Sequence, residues 1–133
     1  MKQIIIGGYV AFSIFQLGMS ATLQIQNNTN ETLTFTKDYG TQCVNDRNPP
    51  QSPLYSGEMT SISAKRDDGK ACKTESHKYK FDVINSKNKT IGYFQLHSST
   101  TQQGNLHSSC QSLDSKNYSF SKENGTCTIS DIQ

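Results

Sequence analysis

The sequence predicts an all-β fold: a small antiparallel β-sandwich of seven or eight strands, braced by two disulfides. Three observations carry this reading. Apolar and polar residues alternate at period two in several short segments, as in strands half buried against a core. Clusters of Asn, Gly, Pro and Ser separate those segments at short intervals. Helical periodicity is nearly absent, and beyond residue 20 the best helix former occurs only as Ala21, Ala64 and Ala71.

The chain opens on a different pattern. Lys2 supplies a short positive start, Ile4 to Leu17 carry no charge, and Gly18 and Ser20 place small residues where a signal peptidase needs them. The apolar stretch is fourteen residues, short of the roughly 18–20 that span a bilayer. Residues 1–20 are therefore read as a secretory signal, cleaved after Ser20 or, alternatively, after Ala21. Residues 21–133 then suit one domain.

The elements follow in order. Thr22 to Gln26 alternate with Leu23 and Ile25 on one face, and Thr32 to Lys37 alternate with Leu33 and Phe35 inward. With the turn cluster at 27–30 between them, they read as a first hairpin. Residues 38–56 hold all three prolines and read as a long loop with a short strand near Cys43. Glu58 to Ala64 is a weak strand, and 65–76 a charged loop around Cys72. His77 to Ile84 has Tyr79, Phe81 and Val83 on one face; with Ile91 to Leu96 it forms the central hairpin. His77 and His97 flank that hairpin and are expected near each other across it. Residues 98–109 read as polar loop. The last hairpin joins Tyr118–Phe120 to Cys127–Ile129 through Asn124-Gly125, the strongest short hairpin signal.

The cysteines are Cys43, Cys72, Cys110 and Cys127. An exported chain meets an oxidising compartment, so two disulfides are the default. Three pairings exist, and sequence alone does not choose among them. Cys43–Cys72 with Cys110–Cys127 is preferred because shorter loops close at lower entropic cost. Each bridge would contribute about 3–4 kcal/mol in the chain-entropy model. The rival is a zinc site using His77 or His107, but no C-x-x-C pair accompanies it, and no metal is expected.

Charge narrows the partners. Without its first twenty residues the chain carries twelve Lys or Arg against eleven Asp or Glu, too even for general nucleic-acid binding. Residues 65–89 are nevertheless net +4. Lys65, Arg66, Lys70 and Lys73 in a loop, with Lys78 and Lys80 on a strand face opposite Tyr79 and Phe81, are candidate contacts for an anionic lipid. The loop tyrosines Tyr39 and Tyr55 join them. One of the adjacent pair Tyr93 and Phe94 must face outward.

Catalytic patterns are missing. No G-x-S-x-G elbow occurs, disulfide pairing removes a cysteine nucleophile, and no spacing selects two carboxylates. Asp67-Asp68-Gly69 reads as a turn, not a calcium loop. No cofactor is expected. Five N-x-S/T triplets begin at Asn27, Asn30, Asn88, Asn117 and Asn124, mostly in turns.

The segments LQIQNNTNETLTF and FDVINSKNKTIGYFQLHSSTTQQGN, with the proline loop between them, give an order of elements that resembles the aegerolysin-like family of small secreted β-sandwich proteins. The resemblance covers most of 21–133 as pattern. It implies recognition of membrane lipids, sometimes beside a pore-forming partner. The chain has no Trp, so no lipid-contact residue is carried over. The expectation is a secreted binding protein, a bacterial effector or toxin-like factor that recognises a membrane lipid or cell-surface ligand. The alternative is a protein-targeting module such as a protease inhibitor presenting Asn48–Pro53; a small secreted hydrolase ranks third.

Overall fold

The computed structural model describes residues 20–98 and 106–132. The expected signal segment, apart from Ser20, lies outside the described residues, as does the middle of the 98–109 segment. Nine strands occur among the described residues: β1 (Ala21–Asn28), β2 (Thr34–Lys37), β3 (Val44–Asn48), β4 (Met59–Arg66), β5 (His77–Ile84), β6 (Thr90–Ser98), β7 (His107–Ser112), β8 (Tyr118–Glu123) and β9 (Thr126–Asp131). One 3-10 turn, Lys70–Cys72, interrupts them. They form a five-stranded sheet, ordered β3-β4-β1-β9-β8, and a four-stranded sheet, ordered β2-β5-β6-β7.

The two inner faces share one core. Leu23, Ile25, Ile62, Ala64 and Ile129 come from the larger sheet, and Tyr79, Phe81, Val83, Phe94 and Leu96 from the smaller. Phe94 lies between Phe35 and Phe81, edge-on to the first and stacked on the second. Alternation thus does what it predicts: β5 is buried at every second residue, with Lys78 and Lys80 turned out.

The central hairpin is antiparallel, with Phe81 opposite Phe94. The β8–β9 hairpin closes through Asn124 and Gly125, both at positive φ (52° and 77°), as a type I′ turn requires. The cysteines pair as Cys43–Cys72 and Cys110–Cys127. The second bridge ties β7 to β9 and so crosses from one sheet to the other.

Four sequence expectations are corrected. β1 and β2 do not pair as a first hairpin; they lie in different sheets. The alternation of Leu23 and Ile25, and of Leu33, is real, because both strands face the same core from opposite sides. Alternation reports a strand's buried face, not its partner. The corner between them is built on buried Asn27. Its Nδ2 donates to the carbonyls of Glu31 (2.9 Å) and Leu54 (3.0 Å), and its Oδ1 accepts from the Thr29 amide and hydroxyl.

The second correction is β7, which occupies part of the expected 98–109 loop. Its inward positions, opposite Leu96, Phe94 and Gly92, are Ser108, Cys110 and Ser112. Small polar residues there leave no apolar alternation to read; the Cys110 bridge ties the strand down instead. Third, the sheets are not wholly antiparallel: β1 and β9 run parallel, with Ile25 beside Cys127. Fourth, His77 does not meet His97. It is buried, its Nδ1 3.3 Å from the Ser98 hydroxyl and its Nε2 3.1 Å from the Asp67 carbonyl, while His97 faces His107.

Candidate binding face

The outer face of the four-stranded sheet collects the side chains that the core rejects. Paired residues on neighbouring strands point the same way, so the register orders this face into rows. One row is Lys78, His97 and His107, the next Lys80, Gln95 and Ser109, and the third Asp82, Tyr93 and Gln111. The Lys80 ammonium stands 4.3 Å above the Tyr93 ring, a cation–π contact. The Tyr93 hydroxyl donates to Gln111 Oε1 at 2.9 Å, which holds the ring flat for that contact.

The turn after β2 borders this face. The amide of Asp38 donates to the Lys80 carbonyl, and Gln42 exchanges two backbone bonds with Lys78, so residues 38–42 are stitched to β5. Asp38 Oδ2 accepts from the Gly40 amide at 2.7 Å. Gly40 runs beneath the Lys78 side chain: a Cβ there would lie 2.8 Å from Lys78 Nζ. Tyr39, at the tip of this bonded turn, is fully exposed.

The other predicted contacts are elsewhere. Lys65 is part of β4, not of a loop, and alternates with buried Ile62 and Ala64. It therefore faces outward from the larger sheet, away from Lys78 and Lys80, with its ammonium 3.2 Å from Asp46. Arg66 closes on Asp68 at 3.0 Å. Lys70 and Lys73 are exposed around the 3-10 turn that Cys72 anchors. Tyr55 is half-exposed in the proline loop, where its amide donates to Glu58 Oε1. Continuity in sequence had joined charges that the sandwich divides between two outer faces.

Tyr93, His97, His107 and Lys122 were not among the candidates. Outward positions for Tyr93 and His97 follow from Phe94 and Leu96 facing inward, so the signal existed. His107 carried none, because β7 has no legible pattern. Lys122, on β8 of the other sheet, donates to the Ser108 carbonyl (3.0 Å) and hydroxyl (3.2 Å). Burial, and then the charges of His107, Lys122 and Lys78, hold the His97 imidazole below its ordinary pKa.

At the end of the sandwich where β1, β5 and β9 finish lies a polar cleft of about 470 Å³, lined among others by Glu31, Asn85, Lys89, Asp114 and Tyr118. Its floor is a closed network. Glu31 accepts from the Ser86 hydroxyl (2.6 Å) and amide (3.2 Å) and from the Tyr118 hydroxyl. Asn85 Nδ2 donates to the same Tyr118 oxygen at 3.1 Å. Burial raises the Glu31 carboxyl, but the bonds from Ser86 and Tyr118 outweigh it and leave its pKa below the usual carboxylate value. Burial and the bond to Glu31 raise the Tyr118 phenol. Lys89 and Asn117 hold Asp114 below its ordinary value. These groups satisfy one another, and they brace the β1–β2 corner, the β5–β6 turn and β8 together.

Of the five N-x-S/T asparagines, Asn27 is buried with its amide bonded, whereas Asn30, Asn88, Asn117 and Asn124 are exposed. No helix among the described residues is long and apolar enough to cross a membrane. Compared with protein-family models, curated proteins and solved structures, the chain matches none.

Proposed function

We propose that the protein is a secreted binding protein that docks on an anionic lipid surface through the outer face of its four-stranded sheet. The observation that carries the reading is a fully exposed Tyr39, held out on a turn hydrogen-bonded to β5, beside a face that presents Lys78 against the neighbouring Gly40 and Lys80 over Tyr93. Tyrosine suits a membrane interface because its ring is apolar and its hydroxyl stays wet. Lysine adds about 1 kcal/mol each near an anionic surface. The short apolar start, the two disulfides and the resemblance noted from the sequence support the same reading.

Flotation with vesicles tests it. Residues 21–133 should float with anionic vesicles at low salt and dissociate as salt rises, because exposed charges are screened over roughly 8 Å at physiological ionic strength. Neutral vesicles should capture little. Lys78→Glu with Lys80→Glu should abolish flotation, and Tyr39→Ala should weaken it. Equal flotation under every condition, or none under any, rejects the reading and moves the weight to a protein or glycan partner.

A further inference from the structure

The row at the upper end of the same face has a chemistry of its own. Lys78, His97 and His107 are directly opposite one another on β5, β6 and β7. Such neighbours have Cβ atoms about 5 Å apart, and the two imidazole centroids are 6.4 Å apart, with the rings tilted at 53°. Lys122 lies by the β7 side, its ammonium bonded to the carbonyl and hydroxyl of inward-facing Ser108, and acts on the row through its charge. The charged groups acting on His97 are all basic: His107 from β7, Lys122 from β8 and Lys78 from β5. Lys80 stands in the adjacent row over Tyr93. Two acids border the face: Asp38 on the turn after β2, whose Oδ2 and Lys78 Nζ would both lie within 2.8 Å of a Cβ on Gly40, and Asp82, four residues from Lys78 on β5, roughly 13 Å along the strand.

Lys78, His97 and His107 crowd one row on three neighbouring strands, and Lys122 adds a cation at the adjoining edge. The three in the row are arranged as donors for an anion. We infer that Lys78, His97 and His107 form a seat for a phosphate group, with Lys122 adding only its charge from the β7 edge, and that the seat fills as the two imidazoles take up protons. The inference rests on the proposed docking face and names the group that face recognises. Neutral imidazole offers one N–H and one acceptor, whereas imidazolium offers two donors and a positive charge. The lysines draw an anion at any physiological pH, and each imidazole that takes up a proton adds a charge. By linkage, a bound phosphate must in turn favour the protonated rings.

Two probes separate the sources of phosphate. The first is inorganic phosphate, followed through the ring proton resonances of His97 and His107 against pH, with chloride at equal ionic strength as control. Both rings should titrate at higher pH with phosphate than with chloride. The second is flotation of residues 21–133 with phosphatidylglycerol vesicles at pH 5.5 and 7.5, because that headgroup keeps one negative charge across the range. Binding should be at least about tenfold stronger at pH 5.5, the gain expected from about 1.4 kcal/mol. His97→Gln with His107→Gln should remove that gain. Lys122→Gln, which spares both rings, should lower the phosphate-induced shift.

Response to both probes supports a lipid headgroup as the occupant. Response to phosphate without flotation keeps the seat, makes the free anion its ligand and overturns the docking face. Flotation that depends on Lys78 and Lys80 but not on pH keeps the docking face and overturns the seat. Rings that titrate alike in phosphate and chloride overturn the seat whatever the vesicles do.

Discussion

Asn27 sits where its neighbours in sequence suggest an exposed turn, yet it is fully buried and makes four side-chain hydrogen bonds. Removing that amide leaves the Thr29 amide without its acceptor in the interior and takes from the Leu54 carbonyl one of its two donors, the other being the Leu33 amide. Each such loss costs about 1–3 kcal/mol. Asn27→Ala should therefore destabilise the protein by about 2–4 kcal/mol in urea unfolding. Asn30→Ala, three residues on and exposed, should change stability by less than about 0.5 kcal/mol. Equal effects of the two would show that the corner does not depend on the buried amide. Glu31 gives a pH signature. Its folded pKa lies below its unfolded value, so its stabilisation is complete above the unfolded pKa and is lost as pH falls through the folded one. The stability difference between the native protein and Glu31→Gln should be largest at neutral pH. It should shrink on acidification below about pH 4.5. A difference independent of pH would mean that the charge of Glu31 is not what Ser86 and Tyr118 hold.

Among the strands, β6 and β7 show how packing can depend on what is missing. A Cβ at Gly92 would collide with the Phe120 ring and lie 2.5 Å from the Gln111 carbonyl oxygen. The glycine lets β8 close over β6. Gly92→Ala should cost about 1–3 kcal/mol through overpacking, and Phe120→Leu in the same chain should recover part of it. No recovery would place the strain on the β7 backbone alone. β7 contributes serines and a half-cystine to the interior where other strands contribute apolar residues. Cys110→Ala with Cys127→Ala should therefore release β7, at about 3 kcal/mol from loop entropy. Amide exchange should quicken in β7 more than in β5 or β6. The bridge between Cys43 and Cys72 acts more locally, on the charged segment before β5. Period-two alternation made β5 and β6 readable and the Asn-Gly pair made the last hairpin readable. β7 was invisible because its inner face has no apolar side chain to mark it.

Across the whole molecule, the sandwich decides which charges act together. Lys65 and Lys78 are thirteen residues apart and both basic, yet they project from opposite outer faces. Lys78→Gln should weaken binding to anionic vesicles about fivefold, the equivalent of roughly 1 kcal/mol. Lys65→Gln should leave it unchanged. If both variants weaken it equally, the protein does not present a single face to the surface. By itself, the amino-acid order determined which residues of β1 and β5 face inward, and that strands run at β4, β6, β8 and β9, because burial at every second position must be written into any half-buried strand. It also determined the turn at Asn124-Gly125, a matter of local backbone freedom, and the four cysteines available for pairing. Tertiary structure alone decided that β1 and β2 part company at Asn27, that β1 runs parallel to β9, and that His97 meets His107 rather than His77. Those choices depend on which strands come to lie side by side, and strand pairing between distant segments is set by the closing of a shared core. No residue carries that information by itself.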